Sequence, residues 1–216
     1  MPPDAPPDLP PDGVRITPDA ANPVVVEVLR GGHVESRHRG AAIAVRADGH
    51  VALSWGDVDR PVFPRSAIKP LQALPLIETG AADAFGLDEA EIALACASHN
   101  GEPLHTDRVA AWLARLGLSE ADLECGAHWP KHEPAAHDLA RAGAAPSALH
   151  NNCSGKHAGF LTTAVHRGEP TAGYVHRHHP VQQRVMGVME QMCGLDLSAA
   201  PCGIDGCSIP TFALPL

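Results

Sequence analysis

The chain has 216 residues, 25 Asp and Glu against 16 Lys and Arg, and a formal charge of -9; 44% of its residues are hydrophobic and its mean hydropathy is -0.08. That balance is typical of soluble globular proteins with enough apolar side chains for a core, and the acidic field repels nucleic-acid phosphates and anionic membrane surfaces. No run approaches the ~18 apolar residues of a membrane span. Four Phe, three Trp and one Tyr leave little for base stacking, so the core falls to Ala, Leu, Val and Ile.

In chain order, the Pro-rich stretch 1–23 predicts a disordered or extended leader, and its acidic start is unlike a secretory signal. Structure is expected from Val24. Residues 24–30 are rich in Val, Gly31-Gly32 is a hairpin-type turn, and 33–39 return as a second strand. Residues 40–46 and 50–55 flank the Asp48-Gly49 reversal, so the opening reads as an antiparallel meander. From Ser66 the pattern becomes helical, near 66–79, 88–97, 102–116, 135–142, 154–167 and 180–193. Pro70 and Pro75 predict a regular first turn at 66–79 and a kinked or displaced second half. Strands followed by helices give an α+β class. The chain ends in an apolar run at Leu216 and reads as cut short, with later strands missing from the sheet.

Cys96, Cys125, Cys153, Cys193, Cys202 and Cys207 are too few and too irregularly spaced for a disulfide framework. With no secretory signal, this points to a cytoplasmic protein with reduced thiols. Each thiol is then a buried small hydrophobe, a metal ligand or a nucleophile.

Three segments carry candidate chemistry. Arg65-Ser66-Ala67-Ile68-Lys69 is an S-x-x-K tetrad, in which one helical turn brings the lysine amine to the serine hydroxyl. The amine must be uncharged to accept the proton, a state favoured by burial or a neighbouring cation. Against this stands a plain helix N-cap at Ser66 with Lys69 in solvent. Ser98-His99-Asn100-Gly101-Glu102 closes a helix with a polar cluster, which makes Ser98 a second candidate hydroxyl and Asn100-Gly101 equally a simple turn. Asn151-Asn152-Cys153-Ser154-Gly155-Lys156-His157 puts a thiol, an amine and an imidazole at a helix N-terminus, where thiolates are favoured. With Cys207, and with Lys156, His157 or Asp205 nearby, Cys153 can form an open three-ligand zinc site; the alternative is a set of buried structural cysteines. His132-Glu133-Pro134-Ala135-Ala136-His137 lacks the zinc-helix spacing, and Gly155-Lys156 lacks the upstream glycines of a phosphate loop.

Taken together, Phe63-Pro64-Arg65-Ser66-Ala67-Ile68-Lys69-Pro70, Cys153-Ser154-Gly155-Lys156-His157 and Gly203-Ile204-Asp205-Gly206-Cys207 resemble the L-asparaginase II family, and the likeness runs from about Val24 through Leu216. The resemblance implies a serine β-lactamase-like fold, a homodimer, and hydrolysis of L-asparagine to L-aspartate and ammonia. It makes Ser66 and Lys69 a catalytic tandem and Ser98 the serine of a second tandem whose lysine lies in a region this chain lacks. It further implies Zn2+ held by Cys153, Lys156 and Cys207, with Arg65, His157 and Asp205 close to the substrate. Competing readings are a glutaminase or β-lactam-reactive hydrolase of the same fold, and a non-catalytic zinc-binding or truncated homologue.

Overall fold

The computed structural model describes residues 14–16 and 22–216; the rest of the expected leader lies outside the described residues. The chain divides into two compact units, one formed by the residues up to Val62 together with Leu214–Leu216, the other by Phe63–Ala213.

In the first unit β2 (Val24–Arg30) and β3 (His33–Arg39) form an antiparallel hairpin, joined at Gly31-Gly32 as the turn chemistry requires. Arg30–Glu35 at 2.7 Å and Arg37–Glu27 at 2.8 Å clasp its exposed surface. β4 (Ala42–Val45) and β5 (Val51–Trp55) pair antiparallel, and β1 (Val14–Ile16) adds to β5 in parallel. The expected continuous meander is therefore two separate sheets. The free edge of β5 is taken by a segment distant in sequence, a pairing that alternation within the strands does not encode.

The second unit is helical. α1 (Lys69–Glu78), α2 (Ala81–Ala84), α3 (Glu89–Cys96), α4 (Pro103–Arg115) and α7 (Pro180–Cys193) all pack on α6 (Ser154–Arg167), and α5 (Glu133–Arg141) has no buried residue. Two short strands, β6 (Cys202–Ile204) and β7 (Pro210–Phe212), pair antiparallel. Together with the strands before them these helices give the α+β class. Among the described residues no helix is long and apolar enough to cross a membrane, and all six cysteines are free.

The segment 65–78 departs from expectation. Its first turn, Arg65–Ile68, is a 3-10 helix, and α1 then continues through Pro75. Pro70 occupies the first turn of α1, where no N–H is needed, and Pro75 forfeits only one bond, to a carbonyl in that turn. Burial of Pro75 and its neighbour Leu76 offsets that loss.

α6 is buried along its first eleven residues, Ser154 to Ala164, so small side chains are needed where other helices cross it. At Gly155 an added Cβ would lie 2.5 Å from the Leu94 carbonyl oxygen of α3. Trp112 of α4, fully buried, donates its indole N–H to Thr162 Oγ1 at 2.9 Å.

The loop after α3 is tied to the start of α6 by His99. Gly101 N–H donates to His99 Nδ1 at 3.1 Å, so Nε2 carries the proton and donates to Ser154 Oγ at 2.8 Å, which donates onward to the Leu149 carbonyl at 2.9 Å. Gly101 has φ +74°, and a Cβ there would press on His150 O and Pro130 at 3.1 Å. Burial, with smaller contributions from the surrounding cationic groups, lowers the His99 pKa to about 4.

Two outcomes follow from this packing. Gly155→Ala should destabilise the protein by about 1–3 kcal/mol in urea unfolding, because the backbone of α3 must move. A folded pKa below that of the unfolded chain means the unfolded state binds the proton first, so stability should be level above pH ~6.5 and fall toward pH 4. Replacing His99 by Gln should flatten that slope in a urea-unfolding series across the window.

Candidate active site

A cavity of ≈ 260 Å³ opens in the second unit where the 65–69 turn, the N-terminus of α6 and the β6–β7 connection meet. Arg65, Ser66, Lys69, Cys153, Lys156, Asp205 and Cys207, singled out from the sequence, all line it. They come from three regions far apart in the chain.

Lys69 is 2% exposed, so the reading of a solvated side chain does not hold. Its Nζ donates to the Ala97 carbonyl at 2.6 Å and to Ser98 Oγ at 2.6 Å, and Ser98 Oγ lies 3.1 Å from Ser66 Oγ. The lysine is thus joined to Ser66 through Ser98. The 3-10 geometry of Arg65–Ile68 accompanies this arrangement: Pro64, not Ser66, occupies the cap position. Ser98 itself stands outside the cavity lining.

The second cluster is built on α6 and the 205–207 loop. Lys156, also 2% exposed, donates to Asp205 Oδ2 at 3.1 Å and to Cys207 Sγ at 3.1 Å. Asp205 Oδ1 accepts the backbone N–H groups of Cys207 and Ile209, each at 2.9 Å, and the Cys207 thiol at 3.0 Å. Burial would raise the Asp205 pKa, but the Lys156 charge and these hydrogen bonds hold it at about 2. Burial likewise opposes charge on Lys156, yet the two sulfurs and Asp205 outweigh it and raise its pKa. The neighbouring Cys207 thiol lowers Cys153 to about 5 against the opposing effect of burial, with Lys156 and Lys69 adding to the shift, and Cys207 is pushed up.

Strain is stored at the same place. Among the described residues, Arg65 at φ +54° and Ser208 at φ +72° are the non-glycine positions in left-handed backbone, one beside Ser66 and the other beside Cys207. Such residues cost of order 1–3 kcal/mol each and persist where the surroundings fix them.

His157 is fully buried on α6 and is absent from the cavity lining. Its Nδ1 is 2.7 Å from the Tyr174 hydroxyl, which accepts the Glu124 N–H at 2.9 Å. Burial, with Lys156 adding to it, lowers its pKa, so the ring is neutral. Sequence reading missed Gln72, His128, Lys131, Asn152 and Thr211 in the cavity wall. Gln72 follows Lys69 by one turn and Asn152 adjoins Cys153, so their placement had a signal. His128 had none: its Nε2 accepts the Asn152 N–H at 2.8 Å across a loop contact.

As for metals, no group of three or more His, Cys, Asp or Glu gathers in a metal-holding arrangement among the described residues. The third donor beside the two thiols is the Lys156 amine. It donates to Cys207 Sγ at 3.1 Å.

A search of curated proteins finds no match. The family model described as L-asparaginase II matches residues 26–216, a span that holds every residue of the cavity. A hydroxyl pair served by a buried amine, beside a thiol–amine–carboxylate cluster, is thus set within a family of asparaginase-type amidohydrolases, and the chain belongs to the L-asparaginase II family.

Proposed function

We propose that the protein hydrolyses L-asparagine to L-aspartate and ammonia through an acyl-enzyme on Ser66. The observation that carries this is the Lys69–Ser98–Ser66 hydrogen-bonded chain, with Ser66 on the cavity wall. Lys69 in its uncharged form takes the Ser98 proton while Ser98 takes the proton of Ser66, whose oxygen attacks the side-chain amide carbon. The C–N bond breaks and ammonia leaves with the proton returned from Lys69. Water then attacks the ester, giving its proton back through the same chain, and L-aspartate leaves with Ser66 restored. Arg65 faces the α-carboxylate and Asp205 the α-ammonium of the amino acid, as their charges dictate. His157, placed near the substrate by the family resemblance, is buried against Tyr174 and does not line the cavity.

Ser98 is the second candidate nucleophile, because it contacts Lys69 directly at 2.6 Å. Its position outside the cavity lining favours Ser66. A glutaminase or β-lactam-reactive hydrolase would use the same groups, and release of ammonia from asparagine and glutamine side by side separates the amide substrates.

The donor set fits zinc with three protein ligands, Cys153 Sγ, Cys207 Sγ and Lys156 Nζ, the amine binding in its neutral form. A zinc ion there would supply a fixed positive charge that orients substrate and polarises neighbouring groups. Within the same proposal the fold is serine β-lactamase-like and the assembly a homodimer in the cytoplasm.

Ser66→Ala should lower asparaginase turnover by about three orders of magnitude or more while leaving the folded state intact, and Ser98→Ala by about 10²–10⁴-fold. Ammonia release and trapping of the acyl-enzyme by mass spectrometry check this. Wild-type turnover in Ser66→Ala would pass the nucleophile's role to Ser98. For the metal, one zinc per chain is expected, lost in Cys153→Ser and Cys207→Ser. Because Cys207 and Lys156 must each give up a proton, zinc affinity should rise with pH, as read by calorimetry in buffers of different ionisation enthalpy.

A further inference from the structure

Gln72 sits where an apolar side chain is expected. Of the buried residues of α1, Lys69, Gln72, Ala73 and Leu76 follow the i, i+3, i+4, i+7 spacing of a core-facing stripe. Ala73 and Leu76 fill that stripe with hydrocarbon, while Lys69 and Gln72 line the cavity. Lys69 is held by the Ala97 carbonyl and Ser98 Oγ. Gln72 is only 4% exposed, and among the described residues its carboxamide has no hydrogen-bond partner. Neither of its polar atoms is sealed from solvent, in contrast to Thr211 Oγ1 of the same wall, which is unpaired but wholly buried. What remains accessible of Gln72 therefore includes its amide end, and the cavity is where it opens.

The fold gives no reason for a carboxamide here. Methionine matches glutamine in length, is as good a helix former and buries no amide, whereas a carboxamide drawn out of most of its water without a partner costs stability. Helical side chains lean toward the N-terminus of their helix, which directs Gln72 back over the 65–69 turn that carries Ser66. With Arg65 facing the α-carboxylate and Asp205 the α-ammonium, the group of the amino acid still without a partner is its side-chain carbonyl. A carboxamide supplies an N–H donor for that oxygen without adding a charge beside Lys69.

Resting on the amidohydrolase reading, we infer that Gln72 is a substrate-binding residue whose Nε2 donates a hydrogen bond to the side-chain carbonyl oxygen of the amino-acid substrate, holding the carbon that Ser66 attacks. The contact reads the side chain and not the α-groups. Its loss leaves the ligand's oxygen unpaired in the cavity, which corresponds to about a 10- to 100-fold change in affinity.

The test sets Gln72→Met against wild type with ligands that share the α-carboxylate and α-ammonium: L-asparagine, L-aspartate, and L-2-aminobutyrate, whose side chain has no oxygen. Thermal midpoint without ligand, ammonia release from L-asparagine, and calorimetric titration with the other two are measured. Gln72→Met should melt at or above wild type, lower kcat/KM for L-asparagine about 10- to 100-fold, weaken L-aspartate by a similar factor, and leave L-2-aminobutyrate within about twofold. A lower midpoint would show that the carboxamide serves the fold and would overturn the inference. An equal loss for L-2-aminobutyrate would move the contact to the α-groups and overturn it as well, as would unchanged L-aspartate affinity. Wild type that releases no ammonia yet binds L-aspartate in a Gln72-dependent way would sink the amidase reading and sustain this one. Wild type that fails to bind L-aspartate would end it.

Discussion

Lys69 and Lys156 are both almost wholly withdrawn from water, and the cavity takes its form from what each amine must find there. A buried ammonium or amine is tolerated only where acceptors surround it. Lys69 finds the Ala97 carbonyl and the Ser98 hydroxyl at the end of α3, and this draws the loop after α3 against the 65–69 turn. Lys156 finds Asp205 and Cys207, and this draws the β6–β7 connection against the N-terminus of α6. The Lys69 contacts set Ser98 beside Ser66, and the Lys156 contacts go to Asp205 and Cys207 in the cavity wall.

The price of holding these groups is distributed. α6 carries Lys156 and His157 where an apolar helix would be more stable, and compensates with small residues that let α3 approach closely at Gly155. The left-handed backbone at Arg65 and Ser208 flanks the two clusters. His99 ties the loop after α3 to Ser154 through a tautomer fixed by the Gly101 N–H, so the Ser98 hydroxyl is set by a bond network and not by the serine's own preferences. Departures from local stability rules of this kind concentrate where function fixes the geometry.

The thiol pair illustrates how electrostatics inside such a cluster are shared. Cys153 is lowered to about 5 next to Cys207, while the Cys207 thiol donates to Asp205, which also accepts from Lys156. The cluster is self-consistent as it stands. It is also the donor set assigned to zinc in the proposed function, where metal binding would displace protons.

The strand and helix segments were legible from residue patterns because their signals are local. Gly31-Gly32 and Asp48-Gly49 mark turns, and the apolar spacing near 102–116, 154–167 and 180–193 marks helices that the structure contains. The S-x-x-K tetrad, the Cys153–His157 segment and the Asp205–Cys207 loop were visible as chemistry, since unusual residue types stand together in the chain. What the tertiary structure alone decided was partnership. Lys69 donates to Ser98, far along the chain, and is joined to Ser66 through it, a partnership that spacing cannot reveal. The pairing of β1 with β5, the contact of His128 with Asn152 and the unpaired hydroxyl of Thr211 depend on chain segments brought together only by packing. Residue types and their local periodicity are written in one dimension; which donor finds which acceptor is settled by the competition among buried groups in three.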